Sequence, residues 1–87
     1  MKRTEGFLLK KIADEYVIVP TGKKAEEVNE VFTLTGTAAY IYSHVEEATG
    51  IDGLIQMISR EYHAEEEAVA EDVRQVVGVM KEKGLLE

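Results

Sequence analysis

Apolar residues follow two patterns along this chain, with short β-rich runs before residue 35 and helical spacing after it. Phe7–Ala13 and Tyr16–Val19 are rich in aliphatic and β-branched residues, which favours two strands joined by a tight turn at Asp14-Glu15. Pro20 ends the second strand because proline has no N–H to donate to a sheet. The polar segment Thr21–Glu27 is predicted to be a loop.

A third strand is predicted at about Asn29–Leu34. Phe32 and Leu34 fall on one face of this strand, with Val31 and Thr33 on the other, because successive side chains of a strand point to opposite faces. The strand ends where the period of the apolar residues changes.

Helical spacing begins immediately after this strand, and Thr35 has the side chain of a helix N-cap. Gly50 and Gly84 suit the ends of helices, and Leu85 and Leu86 are expected to fold back onto the core. The apolar spacing predicts three helices, at about 36–48, 52–62 and 65–83.

Three strands followed by three amphipathic helices predict one sheet with one face covered by a helical bundle. The expected fold is therefore α+β and winged-helix-like, with a three-stranded antiparallel sheet followed by a three-helix bundle. Residues 1–87 are expected to form a single domain, since a chain of this length holds one small core.

Composition limits the functions that this chain can have. There is no cysteine, which excludes disulfides and thiolate chemistry, and no apolar run approaches the length of a membrane span. These features fit a cytoplasmic protein. The charge is uneven: residues 1–24 carry six Lys and Arg against three Asp and Glu, whereas residues 25–87 carry four against fourteen.

No group of residues has the spacing of a catalytic or metal site. His44 and His63 lie on different predicted helices, without a second ligand one turn away. Ser43 and His44 are neighbours on a helix and point about 100° apart, so they do not form a nucleophile and base. Glu65–Glu67 suits the first turn of a helix, where carboxylates are favourable. We expect no catalytic activity, no bound metal and no cofactor.

Three segments together resemble one protein family. The segment 34–42, LTGTAAYIY, is similar to the signature L-N-x-T-A-x-x-I-[W/Y] of the family of PQQ-biosynthesis protein D (PqqD), with Thr35 in place of the usual Asn. The end of the chain, 72–86, resembles that family's D-V-x-x-F-L-x-x-L-x-x-x-G-L-L, with Val76-Val77 in place of Phe-Leu. Leu54, Ile58 and Tyr62 match its middle helix.

The resemblance implies a recognition element for peptides that are made on the ribosome and modified afterwards. Such modules are not enzymes. They bind the leader of a precursor peptide as an added β-strand, between the third strand and the last helix, and present it to a modifying enzyme such as a radical-SAM protein.

On this basis the sequence predicts a peptide-binding groove between the third strand and one margin of the last helix. Arg74 and Lys81 are rare cations in an acidic half and would suit an acidic leader, although ordinary surface positions explain them equally well. The expected peptide-binding residues are Val31, Phe32, Thr33, Leu34, Val73, Arg74, Val77 and Lys81.

The alternative function is that of a winged-helix DNA-binding regulator. Charge opposes it, because Ala64–Lys83 carries six carboxylates against three cations and would repel a phosphate backbone. We therefore expect no nucleic acid and no membrane among the partners. An open strand edge also permits a homodimer, because it can pair with a second copy of the chain.

Overall fold

Three antiparallel strands form one sheet in the computed structural model, which describes all residues from Met1 to Glu87. Their order is β1-β2-β3, so the middle strand pairs with both neighbours and β3 is an edge strand. The strands are β1 (Phe7–Ile12), β2 (Glu15–Pro20) and β3 (Phe32–Leu34).

The hairpin turn lies one residue earlier than predicted. Ile12 pairs with Glu15, which makes Ala13-Asp14 the two residues of the turn. Ala13 has a φ of 56°, a left-handed conformation that is uncommon for a residue with a Cβ. A positive φ at the first turn residue matches the twist of the strands, and this geometry decides the register.

Four helices are present, α1 (Lys23–Glu27), α2 (Gly36–His44), α3 (Gly50–Tyr62) and α4 (Glu66–Glu82). The first was predicted to be a loop. It is a single turn without a buried residue, so it has no apolar stripe for the sequence to reveal. The other three confirm the predicted bundle, although α2 ends at His44 rather than near residue 48.

The core lies between the inner face of the sheet and the three longer helices. Phe32 pairs with Ile18 across β2 and β3, and the ring of Phe32 meets that of Phe7 edge to face with centroids 6.3 Å apart. The α+β fold with its antiparallel sheet is therefore confirmed. The buried cluster consists of Ile18, Ala38, Ile41, Tyr42, Val45, Leu54, Ile55, Ile58, Val73, Val77, Met80, Leu85 and Leu86.

The chain folds back after α4, as predicted. Gly84 has a φ of +79°, and the N–H of Leu85 donates to the carbonyl of Met80 over 2.8 Å. This is the geometry of a Schellman helix end, which glycine adopts without steric cost. Leu85 and Leu86 are consequently buried in the core.

Residues 2–4 pair with residues 85–87 to form what we name the terminal strap. Arg3 and Leu86 form an antiparallel bridge. The N–H of Thr4 donates to Leu85 over 3.0 Å, and the N–H of Glu87 donates to Lys2 over 2.8 Å. The strap joins the first residues of the chain to the segment that follows α4.

Candidate functional site

The free edge of β3 is the first element of a groove. Tyr16 and Ile18 of β2 pair with Leu34 and Phe32 on one side of β3, and no strand pairs with its other side. Backbone N–H and C=O groups alternate in direction along a strand, so part of β3 offers donors and acceptors to another chain.

Helix α4 forms the opposite wall of this groove. Val76, Val79 and Lys83 follow one another at helical spacing on the flank of α4 that faces β3. Val79 is 49% exposed and Val31, across the groove, is 56% exposed. These two large aliphatic side chains are therefore available to a ligand.

The groove has a volume of about 470 Å³ and a mostly apolar lining. Leu85 and Met80 belong both to this lining and to the buried core, so the groove is continuous with the core. The lining consists of Glu30, Val31, Phe32, Thr33, Leu34, Thr35, Ala38, Gln75, Val76, Val79, Met80, Lys83 and Leu85.

Charge in the groove is confined to one ion pair. Lys83 Nζ lies 3.9 Å from Glu30 Oε2, and both side chains are about half exposed. An exposed pair of this kind contributes little to stability because water screens it. Because the two charges offset each other and the rest of the lining is uncharged, the groove favours a ligand with apolar side chains.

The N-cap of α2 fixes the junction between β3 and the helices. Thr35 Oγ1 accepts a hydrogen bond from the N–H of Ala38 over 3.1 Å, as the sequence predicted. Thr35 and Ala38 both line the groove. The cap therefore holds the end of the β3 edge at a fixed position relative to α2.

The structure brings together half of the residues predicted to bind a peptide. Val31, Phe32, Thr33 and Leu34 all line the groove. The predicted residues of α4 lie elsewhere, which corrects the expected orientation of that helix. Val73 and Val77 are buried in the core. Arg74 lines a separate concavity with Asp52 and Glu66, and Lys81 is exposed outside the groove.

The flank of α4 that the sequence was expected to direct toward β3 is not the flank that lines this groove. Val73 and Val77 form the buried centre of its apolar stripe, with Arg74 on one flank and Val76 and Val79 on the other. A helical pattern defines both flanks and does not say which one faces β3. Val79 was the sequence feature that could have identified the flank facing β3, because it is an aliphatic residue outside the buried stripe.

The remaining side chains form no metal centre, since no group of three or more His, Asp or Glu residues converges. None of the helices has both the length and the apolar character needed to cross a membrane.

The family of coenzyme PQQ synthesis protein D (PqqD) has a sequence model that matches residues 8–86. This chain belongs to the PqqD family. The match includes β3, α4 and every residue that lines the groove.

A solved structure has the same fold as this PqqD-family chain. It is TbiB1 in complex with the TbiA(beta) leader peptide, with a TM-score of 0.75 and 25% sequence identity. The similarity covers 100% of this chain and 95% of TbiB1. No curated protein matches the chain.

Proposed function

We propose that this chain is a leader-peptide-binding module. It holds the leader of a ribosomally made precursor peptide as an added strand along β3 and presents the precursor to a separate modifying enzyme, such as a radical-SAM protein. The observation that carries this proposal is the open β3 edge, which faces the apolar flank of α4 in a PqqD-family fold. TbiB1, which shares this fold, binds a leader peptide.

Strand addition uses both kinds of surface in the groove. The backbone groups of β3 bind an extended peptide with little regard to its sequence, and side-chain pockets select among peptides. Val31, Phe32, Thr33 and Leu34 supply the strand side. We propose Val76, Val79 and Lys83 as the helix side, in place of Arg74 and Lys81.

The module acts by binding in this proposal, and the modifying enzyme performs the chemistry. DNA binding is not supported, because the acidic α4 would repel phosphates. Pairing of β3 edges between two copies would use the same backbone groups as the leader. A homodimer of that kind and leader binding therefore exclude each other.

Replacing Val79 with Asp tests the groove. The variant should bind the leader about tenfold more weakly or worse, since it places an unpaired carboxylate against apolar peptide side chains. The probe is the leader of the precursor peptide encoded nearest to the gene for this chain, with the TbiA(beta) leader as a second probe. Affinity is measured by calorimetry.

Gly78→Asp is the matched control. It adds the same charge at the neighbouring exposed position of α4, outside the groove, where a new Cβ meets no atom within 4 Å. We expect Gly78→Asp and Arg74→Ala to bind the leader as the unmodified chain does. An equal loss of leader affinity in the two Asp variants would point to general charge repulsion. An unchanged leader affinity in Val79→Asp would mean that the leader binds elsewhere.

Amide chemical shifts give an independent test of the same site. Leader binding should shift the signals of Val31–Leu34 and of residues 75–83 most strongly, because these backbones form the two walls. Shifts centred on α3 or on the hairpin turn would contradict the assignment.

A further inference from the structure

A second surface with aromatic character lies on the other side of α2. We name it the tyrosine patch, and it consists of Tyr16, Tyr40, His44 and Tyr62, which line a concavity of about 200 Å³. Gly36 and Ala39 of α2 line this patch, whereas Thr35 and Ala38 line the groove. The first turn of α2 thus separates the two surfaces.

The rings of the patch support one another and remain accessible. The rings of Tyr40 and Tyr62 meet edge to face with centroids 6.0 Å apart. The ring of His44 lies against that of Tyr40, with centroids 4.2 Å apart. Tyr62 is 47% exposed. Tyrosines that are held by neighbours and still exposed are typical centres of protein interfaces, because little side-chain entropy remains to be lost.

Carboxylates flank these rings. Glu47 Oε2 lies 2.8 Å from His44 Nδ1. Glu61 precedes Tyr62 on α3 and acts electrostatically on Tyr40. Burial, followed by the charges of Glu61 and Glu47 among other groups, raises the pKa of the Tyr40 phenol above its ordinary value of 10.0. Carboxylate charge therefore lies beside the aromatic surface of the patch.

Aromatic faces beside carboxylates attract a cation, and a planar guanidinium stacks on tyrosine more effectively than an ammonium does. The hairpin shows the same attraction within the chain, where Lys11 Nζ lies 5.5 Å from the ring centroid of Tyr16. A purely apolar partner would instead cover the carboxylate of Glu61 without pairing it, which is unfavourable.

We infer that the tyrosine patch is a docking surface for an arginine side chain of a partner protein, with Tyr40 and Tyr62 as its aromatic contacts and Glu61 and Glu47 as its counter-charges. The partner is a protein other than this chain, because the net charge of −7 opposes contact of the patch with a second copy. Arg74 of a second copy lies beside Glu66 and Glu67 and would bring further carboxylates against the patch. Because α2 separates the patch from the groove, both surfaces can be occupied at the same time.

A short peptide tests the inference without knowledge of the partner. The probe is acetyl-Gly-Arg-Gly-Arg-Gly-amide, and its control carries citrulline, which has the same shape without the charge, in place of arginine. We expect saturable shifts of the Tyr40 and Tyr62 ring signals in NMR spectra with the arginine peptide, and much smaller shifts with the citrulline peptide. Equal responses to the two peptides, or shifts centred on Glu65–Glu67, would overturn the inference.

Two variants test separately the contributions of the Tyr62 ring and of the Glu61 carboxylate. Tyr62→Leu keeps an apolar side chain and removes the ring, so the arginine peptide should bind about fivefold more weakly. Glu61→Gln should also weaken binding, and it decides the question if Tyr62→Leu fails to fold. Val79→Ala changes only the groove and should leave the affinity for the arginine peptide unaltered. Unchanged affinity in Glu61→Gln together with a folded, unaffected Tyr62→Leu would refute the proposed contact.

Discussion

Two residues other than glycine adopt a left-handed backbone, Ala13 in the hairpin turn and His63 at the end of α3. A Cβ in this conformation costs about 1–2 kcal/mol through its contact with the following carbonyl. The surrounding structure imposes the conformation in both places. The N–H of Ala64 donates to the carbonyl of Ser59 over 3.0 Å beyond α3, and the two-residue turn fixes Ala13.

Replacing Ala13 with Gly should therefore stabilise the protein. Relief of the steric contact outweighs the greater freedom of glycine in the unfolded chain, which leaves a gain of roughly 0.5–1 kcal/mol in the free energy of unfolding. Urea denaturation measures the change. Ala25→Gly in α1 is the control, because Ala25 has an ordinary helical backbone and the same substitution should destabilise.

At the scale of elements, the entry into α2 fixes one end of the groove. Thr35 is the N-cap of this helix and satisfies one of its free N–H groups through its side chain. Thr49 occupies the N-cap of α3 and makes no such hydrogen bond with its side chain. The two threonines thus have equivalent positions and different contacts.

Thr35→Ala should lower the free energy of unfolding by about 1 kcal/mol, the usual effect of losing a capping hydrogen bond. Thr49→Ala should lower it by less than about 0.5 kcal/mol, because its side chain forms no cap bond. Thermal or chemical denaturation of the two variants measures the difference. Equal losses would show that the hydroxyl of Thr35 contributes no cap.

Helix α4 combines two roles because its sides face different surroundings. Its buried centre, Val73, Val77 and Met80, packs in the core, and the flank that carries Val76 and Val79 faces the groove. Changes on the exposed flank are therefore expected to alter binding with little loss of stability. Val79→Asp and Gly78→Asp, proposed above, depend on this division.

At the scale of the whole molecule, the terminal strap connects the groove to the first residues of the chain. Leu85 lines the groove, and its carbonyl accepts from the N–H of Thr4. Arg3 extends this connection to the last turn of α2 and the segment that follows it: its Nη1 donates to the carbonyl of Ser43 over 3.0 Å, and its N–H donates to Glu46 Oε2 over 2.9 Å.

This connection should weaken in acid. The hydrogen bond from the Arg3 backbone, followed by the nearby positive charges, holds the pKa of Glu46 below its ordinary value of 4.5. A carboxyl whose pKa is lower in the folded state stabilises the fold above its unfolded pKa, and that contribution is lost as the pH falls through the folded value. Stability should therefore decline below about pH 4.5 in part through Glu46.

Glu46→Gln measures this contribution. The variant should be less stable than the unmodified chain at about pH 7, and the difference should shrink as the pH falls through the lowered pKa of Glu46, because the protonated carboxyl and the amide are both neutral. Urea denaturation at several pH values gives the comparison. A difference that stays constant over this range would exclude an ionic role for Glu46.

The sequence by itself determined the elements that have a strong local signal. The hairpin, the Thr35 cap, the three longer helices and the return of Leu85 and Leu86 each depend on residues close together in the chain, such as a β-branched run or a glycine after a helix. The third strand was predicted for the same reason, whereas its assignment to a peptide-binding groove came from the resemblance to the PqqD family. The short helix α1 was missed because it buries no residue and has no periodic pattern.

Only the tertiary structure decided which flank of α4 faces β3. The spacing of Val73 and Val77 identified the buried side, and Arg74 and Val79 lie on opposite flanks of it. The choice between these flanks depends on the direction in which α4 crosses the sheet. That direction is set by contacts between residues that are distant in the sequence. The same holds for the tyrosine patch, whose rings come from β2, α2 and α3 and meet only when the chain is folded.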